Sequence, residues 1–259
     1  MDIATIIGFV SGFILIILSI LIAGASLLLY VDVASAVLVI FGSFFACVAA
    51  YPLSVTRNMF KYLGFIFRKY KYDYTGVITT IVSFSEKARR EGILALEDDI
   101  EDLDEPFLKK GIQLAVDGTD PEIIKNMLFI ELDKMEDRHN SAIGFFNLWA
   151  GVGPAFGMIG TLLGLIQMLA NLEDQSNLAS GMALALVTTL YGSVMANLFL
   201  LPMRTKLQGR HDSEVMMKEI MIEGILSIQG GDNPRMIQMK LAAFLPPKER
   251  SIFEQTAGV

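Results

Sequence analysis

Thr161, Thr188 and Thr189 stand inside two apolar stretches, Ala142–Leu172 and Leu178–Met203, that contain no Asp, Glu, Lys, Arg or His. Hydroxyl and carbonyl oxygens suit a hard cation. A threonine in a membrane helix also bonds back to its own helix carbonyl, and the residues alone leave both readings open. Small residues surround the three: Gly153, Gly157, Gly160 and Gly164 on one stretch, Gly192 and Ala196 on the other. Gly153/Gly157 and Gly160/Gly164 are four apart, so each pair shares a helix face and permits close backbone approach. Pro154 lies seven residues before Thr161, about two turns away on nearly the same face. It removes a helix hydrogen bond and is either a hinge or a proline tolerated by packing. The missing carboxylate is informative. A cation path through a membrane commonly uses an ionisable residue, so a partner helix must supply it if this chain conducts ions.

Other charged residues lie outside the apolar stretches. Asp32, between Val31 and Val33, could attract cations at an outer mouth or cap a helix. Arg89 and Glu97 are eight apart, and with Lys87, Arg90, Asp98 and Asp99 they make a mixed-charge surface. Such a surface is either simply solvated or a docking face for a complementary partner. His139 and His211 stand alone in charged stretches and read as surface residues. The single cysteine, Cys47, sits in an apolar run and reads as a small core hydrophobe. There is no nucleophile–base set, metal-ligand cluster or phosphate loop in the pattern, so no enzyme and no cofactor is expected.

The elements that carry these residues form two pairs of long apolar runs. The first pair is Ile3–Val31 and Ala34–Val55; the second holds the threonines. Each run exceeds the roughly 20 helical residues that cross a hydrocarbon core. The chain of 259 residues is 53% hydrophobic, with a mean hydropathy of +0.50, too apolar for an ordinary soluble domain. Its net charge of −7 gives no reason to expect nucleic-acid binding. The N-terminus lacks the basic region of a secretory signal, so the first run reads as a retained helix.

Basic residues orient the runs. Arg57, Lys61, Arg68, Lys69 and Lys71 follow the second run; Arg204, Lys206 and Arg210 follow the fourth. The short loops within each pair offer only Asp32, and Glu173 with Asp174. Positive charge marks the cytoplasmic side, so both termini and residues 56–141 are expected there. The periodicity predicts a helix from Gly76 towards Glu97, interrupted at Gly92. It predicts a short helix at Phe107–Val116, and one from Pro121 whose stripe (Ile123, Ile124, Met127, Leu128, Leu132, Met135), with Glu131 its one charged interruption, leads towards the third run as one long helix. Asp98–Asp104 reads as acidic surface, Asp212–Gln229 and Pro234–Leu245 as helices, and the chain from Pro246 as a weakly held tail. The expected fold is all-α: a polytopic membrane protein with four transmembrane helices and a helical cytoplasmic domain, divided at 1–55, 56–141, 142–203 and 204–259.

The run Gly153–Leu165 (GPAFGMIGTLLGL) followed by Leu186–Gly192 (LVTTLYG), with Tyr30–Val33 and Ala88–Glu97, resembles the MotA/PomA family, the A subunits of the bacterial flagellar stator. The resemblance spans about residues 1–245. It implies a bacterial inner-membrane protein, five copies of which surround two copies of a MotB/PomB-type partner whose membrane helix carries an aspartate. Passage of a cation past that aspartate would turn the ring. Positions matching Arg89 and Glu97, with neighbouring Arg90 and Asp98, would engage the FliG-type switch protein of the rotor. Pro154 and Pro202 match prolines tied to conformational change. Sodium-type members carry threonines matching Thr161 and Thr189 and an aspartate matching Asp32, so the resemblance implies Na+ rather than H+. With Thr188 and Gly157 these make the expected ion path. An ExbB/TolQ-like energiser is the second reading, although such proteins typically have three membrane helices. A passive scaffold is the third, and it would not need the hydroxyls.

Overall fold

The computed structural model describes residues 2–68, 72–170 and 175–256. Lys69, Lys71, Glu173 and Asp174, used above for orientation, lie outside them. Among the described residues there are helices and turns and no strand. Four stretches are long and apolar enough to cross a membrane: Ile3–Ile22, Leu27–Ala50, Pro121–Ala170 and Leu178–Gln229. The chain divides into two compact units, residues 1–69 with 139–209, and 70–138 with 210–259.

The first unit begins with α1 (Ile3–Ile22), capped by the Asp2 carboxylate on the Thr5 N–H. No residue of α1 is buried, as expected of a helix whose apolar surface meets lipid. The first apolar run does not continue as one helix to Val31: it turns at Gly24 (φ +73°) into a 3₁₀ segment, Leu27–Tyr30. The second run holds α2 (Val33–Ala36), a π-helical segment at Val37–Gly42 and α3 (Ser43–Ala50). It stops at Tyr51-Pro52, where proline cannot continue the hydrogen-bond ladder, and α4 (Leu53–Phe67) follows. Cys47, Phe145 and Phe146 are fully buried in this unit's core. Trp149 and Tyr51 pack on it, with Phe44–Trp149 and Tyr51–Phe145 ring centroids 5.3 and 5.5 Å apart. Lys206 donates to both Asp2 and Thr5, tying the chain's start to the fourth run. That hydrogen bond holds the Asp2 carboxyl below its usual range.

The second unit packs α5 (Tyr74–Glu91), α6 (Glu97–Ile100) and α7 (Pro106–Val116) with parts of two long helices. These are α8 (Pro121–Ala170), unbroken through Pro154, and α10 (Leu201–Gln229). Four of the six residues of the stripe predicted from Pro121 face the core. Ile124, Leu128, Leu132 and Met135 are buried, whereas Ile123 and Met127 are exposed. Gly92 takes φ +89°, a conformation cheap only for glycine, and so turns the chain from α5 into the 3₁₀ segment Ile93–Leu96. Asp98 and Asp99 belong to α6, and Asp98, Asp102 and Asp104 are exposed, as the acidic-surface reading expects. His211 is also not at the surface. It is buried, with Nε2 3.9 Å from the Glu136 carboxylate.

After α11 (Pro234–Ala242) the expected tail is instead α12 (Pro247–Thr256). Its Arg250 donates to the Ala242 and Ala243 carbonyls at 2.9 and 2.7 Å. The guanidinium thus satisfies carbonyls that the end of α11 leaves without helix partners. A sequence pattern of mixed charge after Pro246-Pro247 gave no sign of this.

Candidate ion path

The third and fourth membrane stretches, residues 142–170 of α8 and α9 (Gln175–Val194), lie backbone against backbone. A Cβ built on Gly157 would stand 3.0 Å from the Thr188 carbonyl oxygen and 3.2 Å from the Thr189 Cα. One on Gly192 would stand 2.8 Å from the Gly153 carbonyl oxygen and 3.1 Å from the Pro154 Cα. One on Gly164 would meet the Ala185 nitrogen at 2.7 Å. Glycines noted for their spacing are therefore where the two helices touch, and a side chain at Gly157, Gly164 or Gly192 would force the helices apart.

That closeness brings the hydroxyls together. Thr161 Oγ1 and Thr189 Oγ1 are 2.6 Å apart, one from each helix. Thr161 also donates to Gly157 O (3.1 Å) and Ala185 O (3.3 Å), and Thr189 lies 3.4 and 3.2 Å from the same two carbonyls. Two hydroxyls and two carbonyls thus form one cluster, with Thr189 exposed and Thr161 half-buried. Thr188 is turned the other way. It is fully buried against Gly160, and its hydroxyl bonds back to Leu184 O (2.8 Å) and Ala185 O (3.1 Å). It reaches the cluster only through the shared Ala185 carbonyl.

Asp32 caps α2: its carboxylate accepts the Ser35 N–H at 2.6 Å. Its own N–H donates to Tyr191 Oη (3.1 Å), and Tyr191 donates to the Tyr30 carbonyl (2.6 Å). Tyr191 lies two residues past Thr189 and sixteen past Gln175, about 24 Å along α9. The sequence reading missed Tyr191, whose role depends on a contact 159 residues away. It also missed Ser35, whose buried hydroxyl has no hydrogen-bond partner among the described residues.

Pro154 and Pro202 stand in different surroundings. Across Pro154 α8 stays helical, with the α9 backbone against it. Pro202, the second residue of α10, follows directly on a second π-helical segment, Met195–Leu200. A proline there offers no N–H to Leu198, and the ladder is widened in the turn just before it. In the second unit, Arg89 and Arg90 are exposed at the end of α5, and Glu97 and Asp98 are exposed on α6. Lys87 pairs with Asp99 at 2.8 Å. The Asp99 hydrogen bond raises the Lys87 ammonium above its usual value. Arg89 and Arg90 line an open cleft of about 420 Å³ together with Glu86, Asn233 and Arg235. Arg235, from α11, was not anticipated.

A family model described as the MotA/TolQ/ExbB proton channel family matches residues 99–220. Motility protein A of Borreliella burgdorferi is 45% identical over 258 residues, covering 100% of this chain and 99% of its own. The chain belongs to the MotA/PomA family of flagellar stator subunits. Chemotaxis protein PomA of Vibrio alginolyticus is 35% identical over 97% of this chain and 98% of its own. The flagellar MotAB stator complex from Bacillus subtilis aligns with a TM-score of 0.88 and 32% identity, over 96% of this chain and 99% of that one. The MotA/PomA assignment makes this a multi-pass membrane protein, in keeping with its four membrane-capable helices.

Proposed function

We propose that this chain couples inward sodium flux to torque on a flagellar rotor, together with a MotB/PomB-type partner. The observation that carries the reading is the four-oxygen cluster of Thr161, Thr189, Gly157 and Ala185 on two membrane stretches, 142–170 and 178–203, that hold no acid. Oxygen ligands of this kind favour a hard cation. They carry no net charge, so a cation crossing there needs a carboxylate from elsewhere to offset its dehydration. The partner's membrane aspartate supplies it. The MotAB complex to which the chain is similar supports such a partner, and five copies around two partner helices would repeat the cluster around the path. Thr161, Thr189 and Asp32 match residues that sodium-type members carry, which is why sodium is preferred.

In this scheme the protein sits in the bacterial inner membrane with both termini and residues 56–141 cytoplasmic. Arg89, Arg90, Glu97 and Asp98 offer an exposed mixed-charge face to a FliG-type switch protein. Asp32 and Tyr191 hold the second stretch against α9 beside the path. The work is transport and mechanical coupling rather than catalysis. Full-length similarity to motility proteins supports this role over an ExbB/TolQ-like energiser.

The test is rescue of swimming in a bacterium deleted for its own stator genes, by this chain expressed with its cognate partner. Swimming is expected with both proteins. It should be lost when the partner's membrane aspartate becomes asparagine, or when either protein is withheld. Full swimming without the partner would overturn the reading.

A further inference from the structure

The first unit encloses a second feature that the ion path does not use, a cavity of about 760 Å³ between α1, the second membrane stretch and the fourth. That lies within the range of ligand cavities. Ile16 and Ile20 of α1 wall one side; Ile40, Leu190, Val194 and Phe199 wall the others. Three side chains with polar atoms line it, Tyr30, Trp149 and Tyr191; Tyr191 is engaged with the Tyr30 carbonyl and the Asp32 N–H, and Trp149 through its Nε1 with Ser43 Oγ at 2.9 Å. The rest of the wall is apolar and offers nothing to hold water, which needs two or more polar partners to stay in a cavity. An empty space of this size would forfeit the contacts of its entire lining.

We propose that the cavity is a lipid site holding an acyl chain of a membrane phospholipid. All the walls but Leu63 come from stretches apolar enough to cross a membrane, so the medium beside the opening is hydrocarbon and an acyl chain enters without losing water. The shape argues against a helix from a second copy. A membrane-crossing helix some 11 Å wide and 30 Å long occupies roughly 2,800 Å³, far more than the cavity offers. Both of its ends are also pinned: Phe9 packs on Phe199 at 5.5 Å and Gly12 on Leu198, while Tyr191 holds the Leu27–Tyr30 turn at the other. What fits is short, thin and flexible. Both π-helical segments border the cavity, through Ile40 on one and Met195, Phe199 and Leu200 on the other. A bound chain therefore props the two places in these stretches where the helix ladder is widest.

The site is tested by reconstituting the chain with its cognate partner in vesicles of phosphatidylethanolamine and phosphatidylglycerol. The vesicles are doped with a phospholipid carrying a diazirine midway along one acyl chain, then irradiated and mapped by peptide mass spectrometry. Labelling is expected at Ile16, Ile20, Leu190 or Val194, above that at the outward-facing Leu15 and Leu18, and its loss is expected in Ile20→Trp, with the mass of the assembled complex unchanged. Labelling no higher inside than outside would overturn the proposal in the unmodified protein, whether or not the variant folds. A disulfide between neighbouring copies through Ile16→Cys would overturn it in favour of a subunit contact. Neither result depends on the coupling ion.

Discussion

Two threonine hydroxyls 2.6 Å apart, from residues 28 positions apart on two helices, are the smallest unit on which the functional account rests. They meet because glycine stands wherever α8 and α9 touch. Gly160→Val would drive side-chain carbon into the space held by the fully buried Thr188. Overpacking of this kind costs about 1–3 kcal/mol. It should lower the thermal midpoint of the purified complex and abolish swimming, whereas Gly151→Ala, with open space at its Cβ, should do neither. At this scale the sequence was partly legible. Threonines flanked by small residues at helical spacing pointed to two helices that pack together and to Thr161 and Thr189, whose hydroxyls meet. Thr188 looked equivalent to Thr189 because adjacent residues differ only in helix face, and which face meets the neighbour is settled by packing. Tyr191 and Ser35 carried no local signal, since their roles arise from contacts with, or isolation among, residues far away in the chain.

Elements were legible where a single physical rule dominates. Long uncharged runs gave the four membrane stretches, and Gly92 marked the end of α5. The π-helical segments were not legible, because composition does not report the width of a hydrogen-bond ladder; Pro202 is the one local trace of the second. The helix α12 was missed because its order comes from Arg250 closing the end of α11. Arg250→Ala should loosen α12 by about 1–2 kcal/mol. It would appear as faster amide exchange confined to residues 247–256, with swimming retained. The α5–α6 junction responds to pH through Lys87. Its raised folded value means the Asp99 pairing is fully present below the ordinary lysine value of 10.5 and fades as pH climbs through the raised one. Alkaline melting curves of wild type and Lys87→Gln should therefore differ below that value and converge above it. A difference that persisted at the highest pH would contradict the pairing as its source.

At the scale of the whole molecule, the membrane stretches of α8 and α9 carry no charge, so on the proposed reading they hold a cation without neutralising it. That incompleteness was readable in the sequence as an absence of carboxylate, before any resemblance was considered. It is the reason a partner is required. The central claim is that the Thr161–Thr189 cluster is where sodium sheds water. The measurement that tests it most directly is swimming speed against sodium concentration at fixed proton-motive force, in cells depending on this chain and its partner, for wild type, Thr161→Ser and Thr161→Ala. Removing one ligand hydroxyl from a charged contact is worth at least about 1.5 kcal/mol, roughly tenfold in the sodium needed for half-maximal speed. The account predicts a sodium-dependent wild type, near-normal behaviour of Thr161→Ser, and a shift of at least that size or complete arrest in Thr161→Ala. Speed indifferent to sodium in the wild type, and abolished by a protonophore, would contradict it.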